Sequence, residues 1–327
     1  MNVIENVKFE GRYAPLFIRF IEYKKSLGYQ YNSHHCRSIR RFNDYLEKTL
    51  SDCSTLTKAD VEGFVEKQEG EQWVTQLCRE GIACQFAMFM DSLGYEAYVL
   101  PKSRKAHRSN FIPYIYTKSQ ISDILRAADT MEYSYRSAKM HIVYPFLLRL
   151  LYRCGLRISE ALNLKMDDID MNEKVIRIEQ AKYNNSRLIP LSFSLSDALN
   201  CYLEQMQYEK GYKGFLFTNQ HGKPYRSNTI HSRFKRLLVQ TGIPARENGH
   251  TPRLHDLRHT FAVHSLDQMV ENGMDAYCVL PYLSTYMGHR NISCTEQYLR
   301  LTSQSFRHIT AATEPMYSGL FPQGGAK

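Results

Sequence analysis

Tyr298 is one of 23 tyrosines in the chain, and it is singled out by its neighbourhood, MGHRNISCTEQYLRL (residues 287–301), which also holds His289. A phenol that titrates near pH 10 is a poor nucleophile at neutral pH. It becomes a useful one where cations stabilise the group it attacks and a neighbour takes its proton. LHDLRHTFA supplies an H-x-x-R pair, His255 and Arg258. Residues three apart on a helix point the same way, so imidazole and guanidinium can converge on one phosphate. The spacing alone carries little weight among 12 histidines, since His34/Arg37 and His250/Arg253 share it. Company distinguishes the 255/258 pair: Arg157 upstream, Lys182 on a turn between strands, and His289 and Tyr298 downstream.

Several elements must position these side chains. Ser293 followed by Glu296 reads as a capping box, which predicts a helix from about Cys294 with Tyr298 in its second turn. The run HIVYPFLLRLLY predicts a helix with Pro145 in its first turn and Cys154-Gly155 at its end, followed by a short helix in LRISEALNL. Period-two segments at about Asp168–Met171, Val175–Gln180 and Arg187–Leu191 predict a small antiparallel sheet that carries Lys182 on its second turn. Lys174, at the start of a strand, is the alternative lysine. Thr117 and Gln120 form another capping box, opening a helix to about Ala128. From Ser194 onward the chain reads as helical, with breaks at GYKG, HGKPYRSN and TGIPARENGHTP.

Ahead of this lies a region of different character. Residues 13–100 read as four helices: Tyr13–Leu27, one capped by Asn32 or Ser33, one capped by Thr57, and one from Trp73 to Leu93. No β-like alternation interrupts them. The second helix places Arg37, Arg40 and Arg41 opposite Ile39, Phe42 and Tyr45, as a solvated face or a phosphate-contacting one. PKSRKAHRSNFIPYIY then breaks the pattern with Pro101 and Pro113 and a basic cluster of Lys102, Arg104, Lys105 and Arg108. The division expected is residues 1–100, a linker at 101–116, and residues 117–327.

Composition narrows the class. At 327 residues with 43% hydrophobic and 23% charged side chains, the chain is ordinary for a globular protein of two domains. A formal net charge of +9 favours a polyanionic partner. The eight cysteines form no CxxC pair, and the polar opening MNVIENVKFEGRY does not resemble a signal peptide, so reduced thiols in the cytoplasm are expected. No His/Cys spacing fits a closed zinc shell, and no apolar run is long enough to span a bilayer.

In this order and over this length, the motifs resemble those of the tyrosine recombinases, the phage-integrase family of site-specific DNA recombinases. LLYRCGLRISEALNL resembles the family's first arginine box, IEQAKYNNSRLIPL its lysine-bearing strand–turn–strand, LHDLRHTFA its second box and YMGHRNISCTEQYLRL its third. The resemblance spans about residues 115–305. It implies a mainly α protein: a helical, SAM-like core-binding bundle followed by a mixed α+β catalytic domain with a three-stranded antiparallel sheet. It implies Arg157, Lys182, His255, Arg258, His289 and Tyr298 as catalytic residues, with Glu160 in support. Where the family usually has glycines beside the lysine, this chain has Ala181 and Tyr183. The stretch MVENGMDAYCVLPYL is longer than in compact members, and nothing in the sequence explains it.

The chemistry implied is phosphoryl transfer without metal or cofactor. Tyr298 attacks a phosphodiester, both arginines bind its non-bridging oxygens, and Lys182 protonates the leaving 5′-oxygen. His255 and His289 bind the phosphate, and one of them helps remove the tyrosine proton. The partners implied are double-stranded DNA and three further copies of the chain on paired sites, with a monomer or dimer in the free state. Arg37, Arg40, Arg41, the four linker cations, Arg187 and Arg233 are the candidate DNA contacts. The process is integration, excision or transposition of a mobile element. A topoisomerase-like relaxing enzyme and a catalytically silent DNA-binding protein are the alternatives. A helix capped by Ser303, carrying Phe306 and Ile309, is expected to dock in cis or on an adjacent protomer.

Overall fold

The computed structural model describes residues 7–29, 31, 33–49, 54–101, 112–179, 186–245, 251–289 and 291–301. Lys182, the linker cations Lys102, Arg104, Lys105 and Arg108, and the segment after Leu301 lie outside the described residues. The chain divides into two compact units, Met1–Ser109 and Asn110–Lys327.

In the first unit, helices α1 (Ala14–Ser26), α2 (Ser33–Thr49), α3 (Lys58–Val65) and α4 (Trp73–Ser92) enclose an aromatic core. Phe17 stacks on Phe86 with ring centroids 3.9 Å apart, and Phe42 on Phe64 at 4.3 Å. Thr57 caps α3 reciprocally with Asp60: each side chain accepts from the other residue's backbone N–H. Beyond the last turn of α3, Arg79 donates to the carbonyls of Phe64 and Glu66, satisfying groups that the helix end leaves unpaired. Arg37, Arg40 and Arg41 lie exposed on α2, while Ile39 and Phe42 are buried. A two-residue parallel pair, β1 (Thr55–Leu56) with β2 (Glu96–Ala97), was not anticipated; two residues are too short to show alternation.

The second unit is built around α6 (Met140–Cys154), whose Val143, Tyr144, Leu147, Leu148, Leu150 and Leu151 are all buried. It packs against α5 (Lys118–Asp129), α8 (Phe193–Met206) and α10 (Asp256–Glu271). The helix begins earlier than the sequence suggests. Pro145 is interior and not in the first turn, and α6 accommodates its missing N–H within the second turn. Helix α7 (Ile158–Leu162) follows, then an antiparallel sheet in the order β3 (Ile169–Asp170), β4 (Val175–Ile178), β5 (Arg187–Pro190). On β4, Ile176 and Ile178 face the core while Arg177 points out, the expected alternation. Helix α9 (Ser227–Gln240) completes the main core.

The stretch that the sequence left unexplained is the end of one helix and the first eight residues of another. Helix α10 runs to Glu271, Gly273 turns the chain at φ +87°, and Asp275 caps α11 (Ala276–Met287) through the N–H groups of Tyr277 and Cys278. Helices α10 and α11 enclose a smaller core of Val263, Leu266, Leu280, Leu283, Met287 and Tyr298. The last α-helix among the described residues, α12 (Ser293–Glu296), is one turn long, and its N-cap is Ile292 with no side-chain cap. Tyr298 therefore lies in the turn after α12, not in a second helical turn.

Gly155 ties this fold to the site described below. It ends α6 at φ +59°, ψ +28°, and an added Cβ would lie 2.3 Å from Cδ1 of Phe261. Gly155→Ala combines a left-handed backbone with an overlap and should cost about 2–5 kcal/mol. Gly211→Ala, at φ +83° with nothing within 4 Å of the new Cβ, should cost only about 1–2 kcal/mol. Urea denaturation of both variants reads the difference; equal losses would mean that Phe261 yields freely.

Candidate active site

Three arginines from three elements meet at one carboxylate. Arg157 precedes α7, and its backbone N–H donates to Glu160 Oε2 at 3.0 Å, while its Nη1 donates to Oε1 at 2.7 Å. Arg187 on β5 donates to both Glu160 oxygens, with Nη2 at 2.8 Å from Oε2. Arg258, in the first turn of α10, places Nη1 3.9 Å from Oε2. Burial alone would raise the Glu160 carboxyl, but hydrogen bonds and charge from Arg187 and Arg157 hold it at about 2.

The same three guanidiniums are anchored a second time, on the C-terminus of α11. Arg187 Nε donates to the carbonyl of Tyr286 at 2.9 Å, Arg258 Nη2 to that of Met287, and Arg157 Nη2 to that of Gly288 at 3.2 Å. Successive carbonyls at a helix end lack intrahelical partners and carry the negative pole of the helix dipole, so cations suit them. Arg258 Nη1 is also bound to the carbonyl of Gly155 at 2.6 Å. Arg258 is 3% exposed and the Arg187 side chain 9%, whereas the Arg157 side chain is 36% exposed.

Beyond Gly288 (φ +62°), the chain presents His289, whose Nδ1 is 2.8 Å from Thr295 Oγ1. The His289 ring lies over that of Tyr298, 6.1 Å between centroids and 27° between planes. Tyr298 is 1% exposed, and its hydroxyl is 3.0 Å from Nδ1 of His259. His255 packs edge to face on His259 at 4.9 Å and is itself open to solvent. Desolvation with the Arg258 charge pushes His289 down to about 4, and the same two causes lower His255 at the open edge of the site. Burial with the charges of His255, Arg253 and Arg258 takes His259 to about 3. Burial pushes Tyr298 up to about 12 against the opposing pull of Arg258 and Arg157. All three imidazoles are neutral at pH 7 and can accept a hydrogen bond.

Six of the residues expected from sequence thus lie in one site: Arg157, Glu160, His255, Arg258, His289 and Tyr298. Lys182 is outside the described residues. The alternative Lys174 has φ +53° and sets its ammonium 3.9 Å from the Phe193 ring centroid. Arg187, expected at a DNA-facing surface, is instead buried on Glu160 and the Tyr286 carbonyl, so its charge serves the cluster. Arg233 is half-buried on α9, near Tyr144 and Tyr225. His259 was not among the expected residues, although it stands four after His255 on the same face of α10.

Residues 115–305 match the phage integrase family. The chain belongs to that family. It is 31% identical over 288 residues to the putative integrase/recombinase y4rB of Sinorhizobium fredii, covering 86% of this chain and 90% of that protein. Tyrosine recombinase XerD of Listeria monocytogenes is 26% identical over 318 residues, covering 91% of this chain and 97% of XerD. Among solved structures, the XerH site-specific recombinase in a post-cleavage complex with its palindromic difH substrate superposes with a TM-score of 0.63 at 20% identity, covering 84% of this chain and 77% of that one. The Tn1549 transposon integrase with transposon right-end DNA gives 0.61 at 18% identity, covering 91% and 98%. These structures share the fold, mostly helical with a small antiparallel sheet. Membership makes the protein a tyrosine-type site-specific DNA recombinase.

Glu160 gives the site a measurable signature. Its folded carboxyl titrates at about 2 and its unfolded one near 4.5, so its stabilisation is full above pH 4.5 and is lost as pH falls towards 2. Glu160→Gln should lower stability at pH 7 by about 3 kcal/mol and flatten the stability profile between those pH values. Denaturant midpoints across pH 2–7 test this. A parallel pair of profiles would mean that the carboxylate charge is not what holds the arginines.

Proposed function

We propose that Tyr298 cleaves one DNA strand at a phosphodiester and keeps the broken end as a 3′-phosphotyrosine. The Tyr298 oxygen bonds to phosphorus, the bond from phosphorus to the 5′-oxygen breaks, and the departing oxygen takes a proton. The observation that carries this reading is a tyrosine hydroxyl within electrostatic reach of Arg258 and Arg157, two of the three guanidiniums gathered on a single carboxylate. Their excess positive charge suits the negative charge that builds on a phosphoryl group in the transition state. Arg157, the most open of the three, and Arg258 bind the non-bridging oxygens; planar forked donors match that geometry better than an ammonium does. His255 and His289 bind the phosphate as neutral donors. Lys182 protonates the leaving 5′-oxygen, the role its place between the second and third strands gives it in the family.

Because the energy of the broken bond is retained in the phosphotyrosine, the 5′-hydroxyl of a second strand can displace the protein and exchange ends. The N-terminal helices, with Arg37, Arg40 and Arg41 exposed on α2, hold the duplex together with the catalytic unit, and the basic segment at 101–116 joins the two. The working assembly is a tetramer on paired sites, formed from free monomers or dimers in the cytoplasm. The biological process is movement of a mobile element by integration, excision or transposition.

The test is covalent capture. Protein recovered under denaturing conditions from cells, followed by sequencing of the attached DNA, should return a defined junction, with the adduct mapped to Tyr298 by mass spectrometry. Tyr298→Phe keeps the ring and its packing, so it should bind that junction with unchanged affinity and yield no adduct. Undiminished adduct in the variant would remove Tyr298 from the mechanism.

A further inference from the structure

We propose that His259 holds the Tyr298 hydroxyl and receives its proton as the oxygen attacks phosphorus, a role resting on the strand-cleavage reading above. The sequence left that role between His255 and His289, and the geometry favours neither. A phenolic O–H lies in the plane of its ring, so the group that takes the proton must sit at the ring's edge, beyond the oxygen. His259 does, with Nδ1 3.0 Å from the hydroxyl and its ring inclined 55° to that of Tyr298. His289 lies over the face of the tyrosine ring, and its Nδ1 is already engaged with Thr295. His255 packs edge to face on His259, the ring that holds the hydroxyl. His259 also follows Arg258 directly on α10, so one helical turn carries both a phosphate ligand and the partner of the nucleophile.

The proton balance is simple. The O–H bond of Tyr298 breaks as its oxygen bonds to phosphorus, and the proton passes to Nδ1 of His259, whose other nitrogen keeps its own proton. The 5′-oxygen leaves with a proton from a separate donor, the part assigned to Lys182. In rejoining, the imidazolium of His259 returns its proton to the departing tyrosine oxygen, and the attacking 5′-hydroxyl gives its proton back to that donor. In the free protein the ring is kept neutral by burial and by neighbouring positive charge, which leaves its lone pair vacant. A bound phosphodiester places negative charge among those same cations and so restores the ring's basicity when it is needed.

Two measurements test this on the full-length chain. Long-range proton–nitrogen NMR at pH 7 should find His259 protonated on Nε2 and bare on Nδ1; the opposite tautomer overturns the proposal without any DNA being involved. The second is the rate of adduct formation on a nicked duplex carrying the junction captured from the wild-type protein. His259→Phe should bind this duplex normally yet form adduct at least about 100-fold more slowly, with the deficit narrowing as pH rises and Tyr298 ionises unaided. His259→Asn retains a hydrogen-bonding group near the Nδ1 position but cannot be protonated in this range, so it should stay slow. Wild-type rates in either variant, or a deficit that does not change with pH, overturn the role. Wild-type protein that forms no Tyr298 adduct on any duplex overturns strand cleavage itself, and this role with it. Wild-type protein that cleaves no faster than His259→Phe overturns this role alone.

Discussion

The site depends on three guanidiniums being held where their charges would otherwise drive them apart. Two constraints do this together. Glu160 accepts from Arg157 and Arg187 and lies beside Arg258, and the last three carbonyls around the end of α11 each take one donor from a different arginine. A buried ion pair is weak grounds for stability, because desolvation offsets most of its Coulombic gain. Its value here is positional. Each guanidinium is fixed at two points, Arg157 and Arg187 by the Glu160 carboxylate and a carbonyl at the end of α11, Arg258 by the carbonyls of Gly155 and Met287, and a planar group fixed at two points has little freedom to turn.

That arrangement also sets the protonation states around Tyr298. Positive charge confined in a partly desolvated floor keeps His255, His259 and His289 neutral and draws the Tyr298 hydroxyl down from where burial alone would leave it. Tyr298 is mechanically attached to the same helix end. Gly288 closes α11 in the left-handed region, His289 follows it, Thr295 binds His289, and Tyr298 donates its backbone N–H to the Thr295 carbonyl at 2.9 Å. A shift in the last turn of α11 would therefore move the arginines and the tyrosine together.

Most of this architecture was legible where a pattern is local. Helix limits in the first unit fell within a residue or two, because Thr57 and Gly28 punctuate the chain chemically. The sheet was legible from its alternation and turn residues. What the sequence concealed was non-local. Arg187 reads as one more basic residue at the start of a strand, and only the fold shows that its partners are Glu160, 27 positions earlier, and Tyr286, 99 later. Ser293 and Glu296 have the spacing of a capping box, yet Ile292 is the N-cap, and the one-turn helix is held by its neighbours more than by its own ends. His259 was overlooked for a related reason. The H-x-x-R spacing directs attention to positions 255 and 258, whereas helical geometry puts 255 and 259 on one face, and 259 is the one that reaches the tyrosine.

A phosphate site of this kind also limits what the catalytic centre can recognise. Guanidinium, imidazole and a tyrosine hydroxyl gathered on one phosphodiester contact groups that every nucleotide shares, and such contacts position a duplex without reading it. Choice of site must then come from side chains that reach base edges or from the cost of deforming particular sequences. Within the described residues, Arg37, Arg40 and Arg41 are exposed on α2 of the first unit, and the arginines gathered on Glu160 belong to the second. Under the proposed strand-cleavage reading, a cluster that contacts only the phosphate needs a separate surface to choose its target, and the exposed arginines of α2 are the candidate for it.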